Sequence, residues 1–157
     1  DALLRRRGVR PILLDGDELR AALHADLGFS ANDRVRVGER NARLAALLAD
    51  QGHLVVCCSV SLQAAIYDRN RQLIRNYADV LIDVDLETVV AADVKGIYRS
   101  VRKGQASHVV GMDIAPSPPP PPAIVVRNDR KASIETVVDD HWEELIGGYR
   151  SCHGRRP

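Results

Sequence analysis

At 157 residues the chain suits one α/β or α+β domain, a size that buries about 70% of the unfolded surface. Lys and Arg total 22 against 21 Asp and Glu, and a net charge of +1 argues against a general nucleic-acid binder. No apolar run is long enough for a membrane-spanning helix, and no signal peptide is legible. The basic residues are lopsided: 19 are Arg, and the only Lys are Lys95, Lys103 and Lys131. Arginine suits bidentate binding of phosphate or sulfate. Cys57 and Cys58 are adjacent in an apolar run, and Cys152 lies near the end, with no metal spacing. The expectation is packed, reduced thiols in a cytoplasmic protein.

In chain order, residues 1–7 read as a charged helical segment, and Arg10–Asp15 reads as a buried strand with Pro11 near its start. A short helix follows over Asp17–Ala25, with Asp15 or Asp17 able to cap it, and then a loop over Asp26–Ser30. Val37, Leu44, Leu47 and Leu48 recur at helical spacing within Asp33–Gln51, and Gly52 stops that helix. His53–Ser59 is a second buried strand, without alternation, as central parallel strands are. A helix over Leu62–Ile74, a strand over Asp79–Asp85, and helices over Leu86–Ala92 and Ile97–Lys103 come next. After a long irregular stretch, Ile124–Val126 is a fourth strand and Ser133–Tyr149 an amphipathic final helix.

This alternation predicts an α/β fold: one mostly parallel sheet with helices on both faces. Ligands of such sheets bind beyond the carboxyl ends of the strands. The segments Asp15–Asp17, Ser59–Ser61 and Asp85 are therefore expected to share a crevice, with the Gly104–Pro122 loop folded over it. Pro116-Ser-Pro-Pro-Pro-Pro-Pro122 must be extended, because proline sets φ and lacks a donor. It reads as a surface arm between helix and strand.

Chemistry concentrates in a few places. In Asp15-Gly-Asp17, two carboxylates one residue apart could hold Mg²⁺ through water, or one could take a proton from a hydroxyl; a helix cap is the plainer alternative. Arg20, one turn later, could grip an anion. Phe29, the only Phe, sits in a loop between Gly28 and Ser30, either anchoring that loop or offering a stacking face to a base.

Asp15-Gly-Asp17 with Arg20, then Asp26-Leu-Gly-Phe-Ser30 and Asp33-Arg34, resembles the adenylylsulfate (APS) kinase family. Lys95-Gly-Ile-Tyr98, Arg102, Gly104 and Gly111-Met-Asp113 resemble its lid, and the likeness runs from about Arg10 to the last helix. It implies a single three-layer P-loop NTPase-like kinase domain over 1–157, with a lid over 96–122. The implied reaction transfers the γ-phosphoryl group of ATP, with Mg²⁺, to the 3′-hydroxyl of adenylylsulfate. Asp17 would contact or deprotonate that hydroxyl, with Asp15 supporting Mg²⁺. Arg20 and Arg34 would hold the phosphosulfate, and Phe29 would stack on the base. Val60 (through its backbone), Ser61 and Lys95 would line the same pocket, and Arg102 would approach the ATP phosphates. The family is often dimeric, so a homodimer is implied as a partner arrangement. The sequence begins at Asp1, has Met112 as its one Met, and contains no G-x-x-x-x-G-K-[ST]. The first strand and the phosphate loop are expected upstream of Asp1.

Departures from the family cluster on the substrate side. Val37 stands where Asn is usual, Glu39-Arg40 where Arg-Arg is, and Leu62-Gln-Ala64 where Pro-Tyr-Arg is. Val109 takes the place of a second, base-clamping Phe, and Asp113-Ile-Ala-Pro-Ser117 that of Asp-Asp-Pro-Tyr-Glu. Losing one aromatic face would cost about 1–3 kcal/mol of base stacking. The residues Ser61-Leu62, Ile66-Tyr67, Asn70-Arg71 and Asn76-Tyr77 resemble a divergent branch that includes cytidine diphosphoramidate kinase, where a smaller base would sit between Phe29 and Val109. Two other readings therefore stand beside the first: a kinase with another nucleotide acceptor, and an inactive kinase-like binding or dimerisation domain.

Overall fold

Four short strands alternate with helices in the computed structural model, which describes residues 2–60, 63–121, 124–129 and 131–146. After helix α1 (Ala2–Arg6), β1 (Ile12–Asp15) feeds α2 (Gly16–Leu23) and the long α3 (Ala31–Asp50). Then come β2 (Val55–Cys58), α4 (Ala64–Leu73), β3 (Val80–Asp83), α5 (Leu86–Ala92) and α6 (Ile97–Arg102). The chain ends with β4 (Ile124–Arg127) and α7 (Ile134–Asp140).

All strand pairing is parallel. β1 lies on β2 from Ile12↔Val55 to Asp15↔Cys58, and β3 on β4 from Val80↔Ile124 to Asp83↔Arg127. Among the described residues the strands form two two-stranded ladders of the expected parallel kind. Burial follows from that. Leu13, read as part of a buried strand, is exposed, as are Val80 and Ile82 of β3, because a two-stranded ladder leaves an edge and part of a face uncovered. Cys57 and Cys58 are exposed free thiols, so the packing expected of them is not found, and Cys152 lies outside the described residues.

The core sits where α2 and α3 cover the first ladder. Leu14, Leu19 and Ala45 form its centre, packed by Ile12, Leu44, Leu48, Val55 and Ile74. Two glycines set close approaches. A Cβ on Gly38 of α3 would meet Ile66 Cδ1 of α4 at 2.6 Å, so the missing side chain lets these helices touch. A Cβ on Gly16 would meet the Cys58 carbonyl oxygen at 2.8 Å, which brings the turn after β1 against the end of β2.

Helix ends differ from expectation where a cap decides them. The Ser30 hydroxyl accepts from the Asp33 amide at 3.1 Å and donates to its carboxylate at 2.8 Å, so α3 starts at Ala31 rather than Asp33. Ser133 caps α7 in the same way, accepting from the Thr136 amide. The final helix expected over Ser133–Tyr149 breaks at His141 and resumes over 142–146; its last three residues lie outside the described ones. The break accompanies a clasp to α1: Arg7 lies over the Trp142 ring at 4.3 Å and pairs with Asp139, while Arg6 pairs with Glu135 at 3.1 Å. No described helix is long and apolar enough to cross a membrane.

Candidate active site

The turn leaving β1 is built by Asp15. Its Oδ1 accepts from the amides of Asp17 (2.9 Å) and Glu18 (3.2 Å), satisfying the free donors at the start of α2. The cap reading of Asp15 is thus realised, and Oδ2 carries no hydrogen bond among the described residues. Asp17 is not in the cap. Its side chain is 76% exposed, and its Oδ2 accepts from Lys95 Nζ, 78 positions further along. That hydrogen bond, and then the carboxylate's charge, raise the Lys95 pKa above the ordinary lysine value. Lys95 is delivered there by a turn that Asp93 organises, its carboxylate accepting from the amides of Tyr98 (3.1 Å) and Arg99 (3.0 Å) at the start of α6.

One helical turn past Asp17, Arg20 turns back on the loop after α2. Its Nη1 donates to the carbonyls of Leu27 (3.1 Å) and Gly28 (2.8 Å), and its guanidinium lies over the Phe29 ring at 4.3 Å. Arg34, in the second turn of α3, is 5.8 Å from the same ring. Phe29 is 54% exposed, so part of the residue is open to solvent. The loop that carries it is fastened twice more. Arg40 grips Asp26 with two bonds of 2.7 and 2.8 Å, and buried His24 Nε2 meets Asn41 Oδ1 at 2.8 Å.

Arg34 joins three loops. It donates to the carbonyls of Phe29 (3.1 Å), Val60 after β2 (3.4 Å) and His108 in the long loop (2.6 Å). Burial, and then the charge of Arg20, lower its pKa, while the Asp113 charge opposes them. The loop turns at His108, whose φ is +65°, and Asp113 secures it by accepting from the amides of His108 and Val109, both at 2.5 Å. Those two bonds pull the Asp113 carboxyl below the usual carboxylate range.

The structure therefore brings together Asp15, Asp17, Arg20, Phe29, Arg34, Val60, Lys95 and the loop of Val109. Arg102 ends α6, exposed, and Ser61 lies outside the described residues. Asp85, two residues past β3, pairs with Arg127, the last residue of β4, at 3.3 Å. Asp113 and the Asp26–Arg40 pair escaped sequence reasoning, which gave them no role. Asp113 was visible only as a motif letter, and no periodicity links Asp26 to Arg40 across a helix hairpin.

A loop cluster at the carboxyl ends of β1 and β2, with an exposed carboxylate, a lysine, two arginines and one aromatic, suits a phosphorylated nucleotide. The model of the family described as adenylylsulphate kinase matches residues 1–127. The chain belongs to that family. It is 36% identical over 124 residues to an adenylyl-sulfate kinase of Pseudomonas entomophila, covering 75% of this chain but 58% of that protein's length. It is 31% identical over 130 residues to a cytidine diphosphoramidate kinase of Campylobacter jejuni, covering 81% and 76% of the two chains. Among solved structures, the Mycobacterium tuberculosis APS kinase CysC in complex with AMPPNP and APS superposes with a TM-score of 0.80 at 33% identity, covering 93% of this chain and 85% of that one. The P-loop-type α/β fold expected from the sequence is thus the fold of this APS kinase relative.

Proposed function

We propose that the protein containing this chain is an ATP-dependent kinase that phosphorylates the 3′-hydroxyl of adenylylsulfate, and that the described cluster is its acceptor site. The observation that carries this reading is the contact between Asp17 and Lys95 on the same side of α2 as the arginine-flanked Phe29. Phosphoryl transfer demands positioning and charge neutralisation more than covalent chemistry, and this cluster supplies both. The acceptor's base stacks on the Phe29 ring, and its anionic groups meet Arg20 and Arg34. Asp17 accepts the proton of the 3′-hydroxyl as that oxygen bonds to the γ-phosphorus and ADP departs. Lys95 keeps the carboxylate in place and balances charge near the reacting oxygens. Arg102 reaches toward the ATP phosphates.

Mg²⁺ belongs to the same reading. It commonly binds through one or two carboxylates, waters and substrate phosphates, so the open Oδ2 of Asp15 fits it. When bound, it neutralises charge on the transferring phosphoryl group. The exposed, free Cys57 and Cys58 suit a reducing compartment, so we place the reaction in the cytoplasm. We also assign the enzyme a homodimeric assembly, which sedimentation of the full-length protein tests.

A second acceptor has its own support. Val109, on the loop clasped to Phe29 through Arg34, stands where the family has a second Phe, and one relative is named for a cytidine compound. ATP consumption by the full-length protein, measured with adenylylsulfate and with cytidine diphosphoramidate, decides between them. Turnover of the cytidine compound alone rejects adenylylsulfate as the acceptor. Asp17→Asn should abolish turnover and leave the unfolding midpoint in place, because the side chain is exposed. Near-normal activity in that variant refutes the base role.

A further inference from the structure

The Arg34 guanidinium is aimed by a loop that would not hold its shape unaided. His108 sits at φ +65°, in the left-handed region that few non-glycine residues adopt. Its support is visible: one Asp113 oxygen accepts from the His108 amide and the other from the Val109 amide, each at 2.5 Å. The turn so formed closes further through amides of Met112 (3.1 Å) and Ile114 (3.2 Å) donating to the Val109 carbonyl. Its outcome is a His108 carbonyl 2.6 Å from Arg34 Nη2. Arg34 then spans that carbonyl and those of Phe29 and Val60, beside the Phe29 ring.

We propose that Asp113 is a positioning residue for acceptor binding: its carboxylate builds the 108–113 turn that sets the Arg34 guanidinium and places Val109 opposite the base-stacking loop. The inference rests on the kinase reading above and adds to it a residue whose carboxylate is occupied by the amides of its own loop. Asp113 is exposed and outside the core, so its removal leaves the fold standing. What is lost is the shared acceptor of two consecutive amides, and with it the reason for His108 to keep a left-handed backbone. The Asp113 charge also counters the burial and the Arg20 repulsion that act on Arg34.

The test uses the full-length protein with ATP and whichever acceptor it turns over. In Asp113→Ala the acceptor KM should rise about tenfold, while kcat and the ATP KM stay within about twofold. Asp113→Asn, which keeps the shape and one acceptor oxygen, should fall between the variant and wild type. Amide hydrogen exchange at His108 and Val109 should speed up in Asp113→Ala, with β1 and α3 unchanged. A loss of general stability would not split the two KM values in this way. An inert wild type overturns the kinase reading and this proposal with it. An active wild type whose Asp113→Ala variant keeps the acceptor KM, or keeps slow exchange at 108 and 109, overturns this proposal alone.

Discussion

Arg40 and Asp26 show how one residue pair steadies a loop without touching a ligand. The two parallel bonds lower the Asp26 pKa from 3.8 to about 2, and the first cause is the hydrogen bond from Arg40. The folded value lies below the unfolded one, so the stabilisation is present above 3.8 and disappears as pH falls through about 2. Asp26→Asn should therefore flatten the loss of stability in that acid window, as followed by urea unfolding at stepped pH. Parallel pH slopes in the variant and wild type would sink this account. Asp17, by contrast, is an exposed carboxylate whose one described partner is Lys95. Its Asn variant is accordingly expected to show in turnover rather than in unfolding.

Among the elements, the α3–α4 contact rests on Gly38. Alanine is ordinarily better than glycine in a helix by about 1 kcal/mol. Here the added methyl would lie 2.6 Å from Ile66 Cδ1 and 2.8 Å from Cγ1, so Ile66, which is 3% exposed, would have to shift within the core. The clash outweighs the propensity gain, so Gly38→Ala should destabilise by about 1–3 kcal/mol. Chemical denaturation reads the sign directly; a stabilised variant would show that the helices can separate at little cost. Element boundaries were legible where local chemistry decides them: Leu86–Ala92 is found as expected, and of the two candidate caps, Asp15 and Asp17, it is Asp15 that caps α2. They were not legible where a cap competes with periodicity. Ser30 advances α3 by two residues because its hydroxyl takes the Asp33 amide, which apolar spacing does not register.

Across the whole molecule, the proline-rich arm is tied down by α4. The Tyr67 hydroxyl donates to the Ser117 carbonyl at 2.9 Å, and Arg71 reaches the Pro120 carbonyl at 3.3 Å. Arg71 also pairs with Asp79, whose side chain is 4% exposed and which accepts from the Tyr77 hydroxyl as well. Burial, followed by the bond to Asp79, pushes the Tyr77 pKa upward. Removing the carboxylate leaves Arg71 and Tyr77 without their shared acceptor in a partly buried place. Asp79→Ala should cost about 2–3 kcal/mol, below the range for fully buried pairs because Arg71 is 32% exposed. Glu135→Ala, which breaks an exposed pair with Arg6, should leave the thermal midpoint where it is. Equal midpoint shifts in the two variants would contradict this ranking by burial.

The sequence alone determined the α/β class, the order of the elements, and the residue types of the acceptor cluster, because periodicity, caps and short motifs are local and act within a few residues. It also carried the family. Tertiary structure alone decided the pairings across distance: Lys95 on Asp17, Arg34 spanning Phe29, Val60 and His108, Asp113 on the amides before it, and Asp85 on Arg127. It decided, too, that β1 pairs with β2 and β3 with β4, both in parallel. An apolar run records that a strand is fit for burial. Whether a neighbour covers it depends on how the whole chain packs.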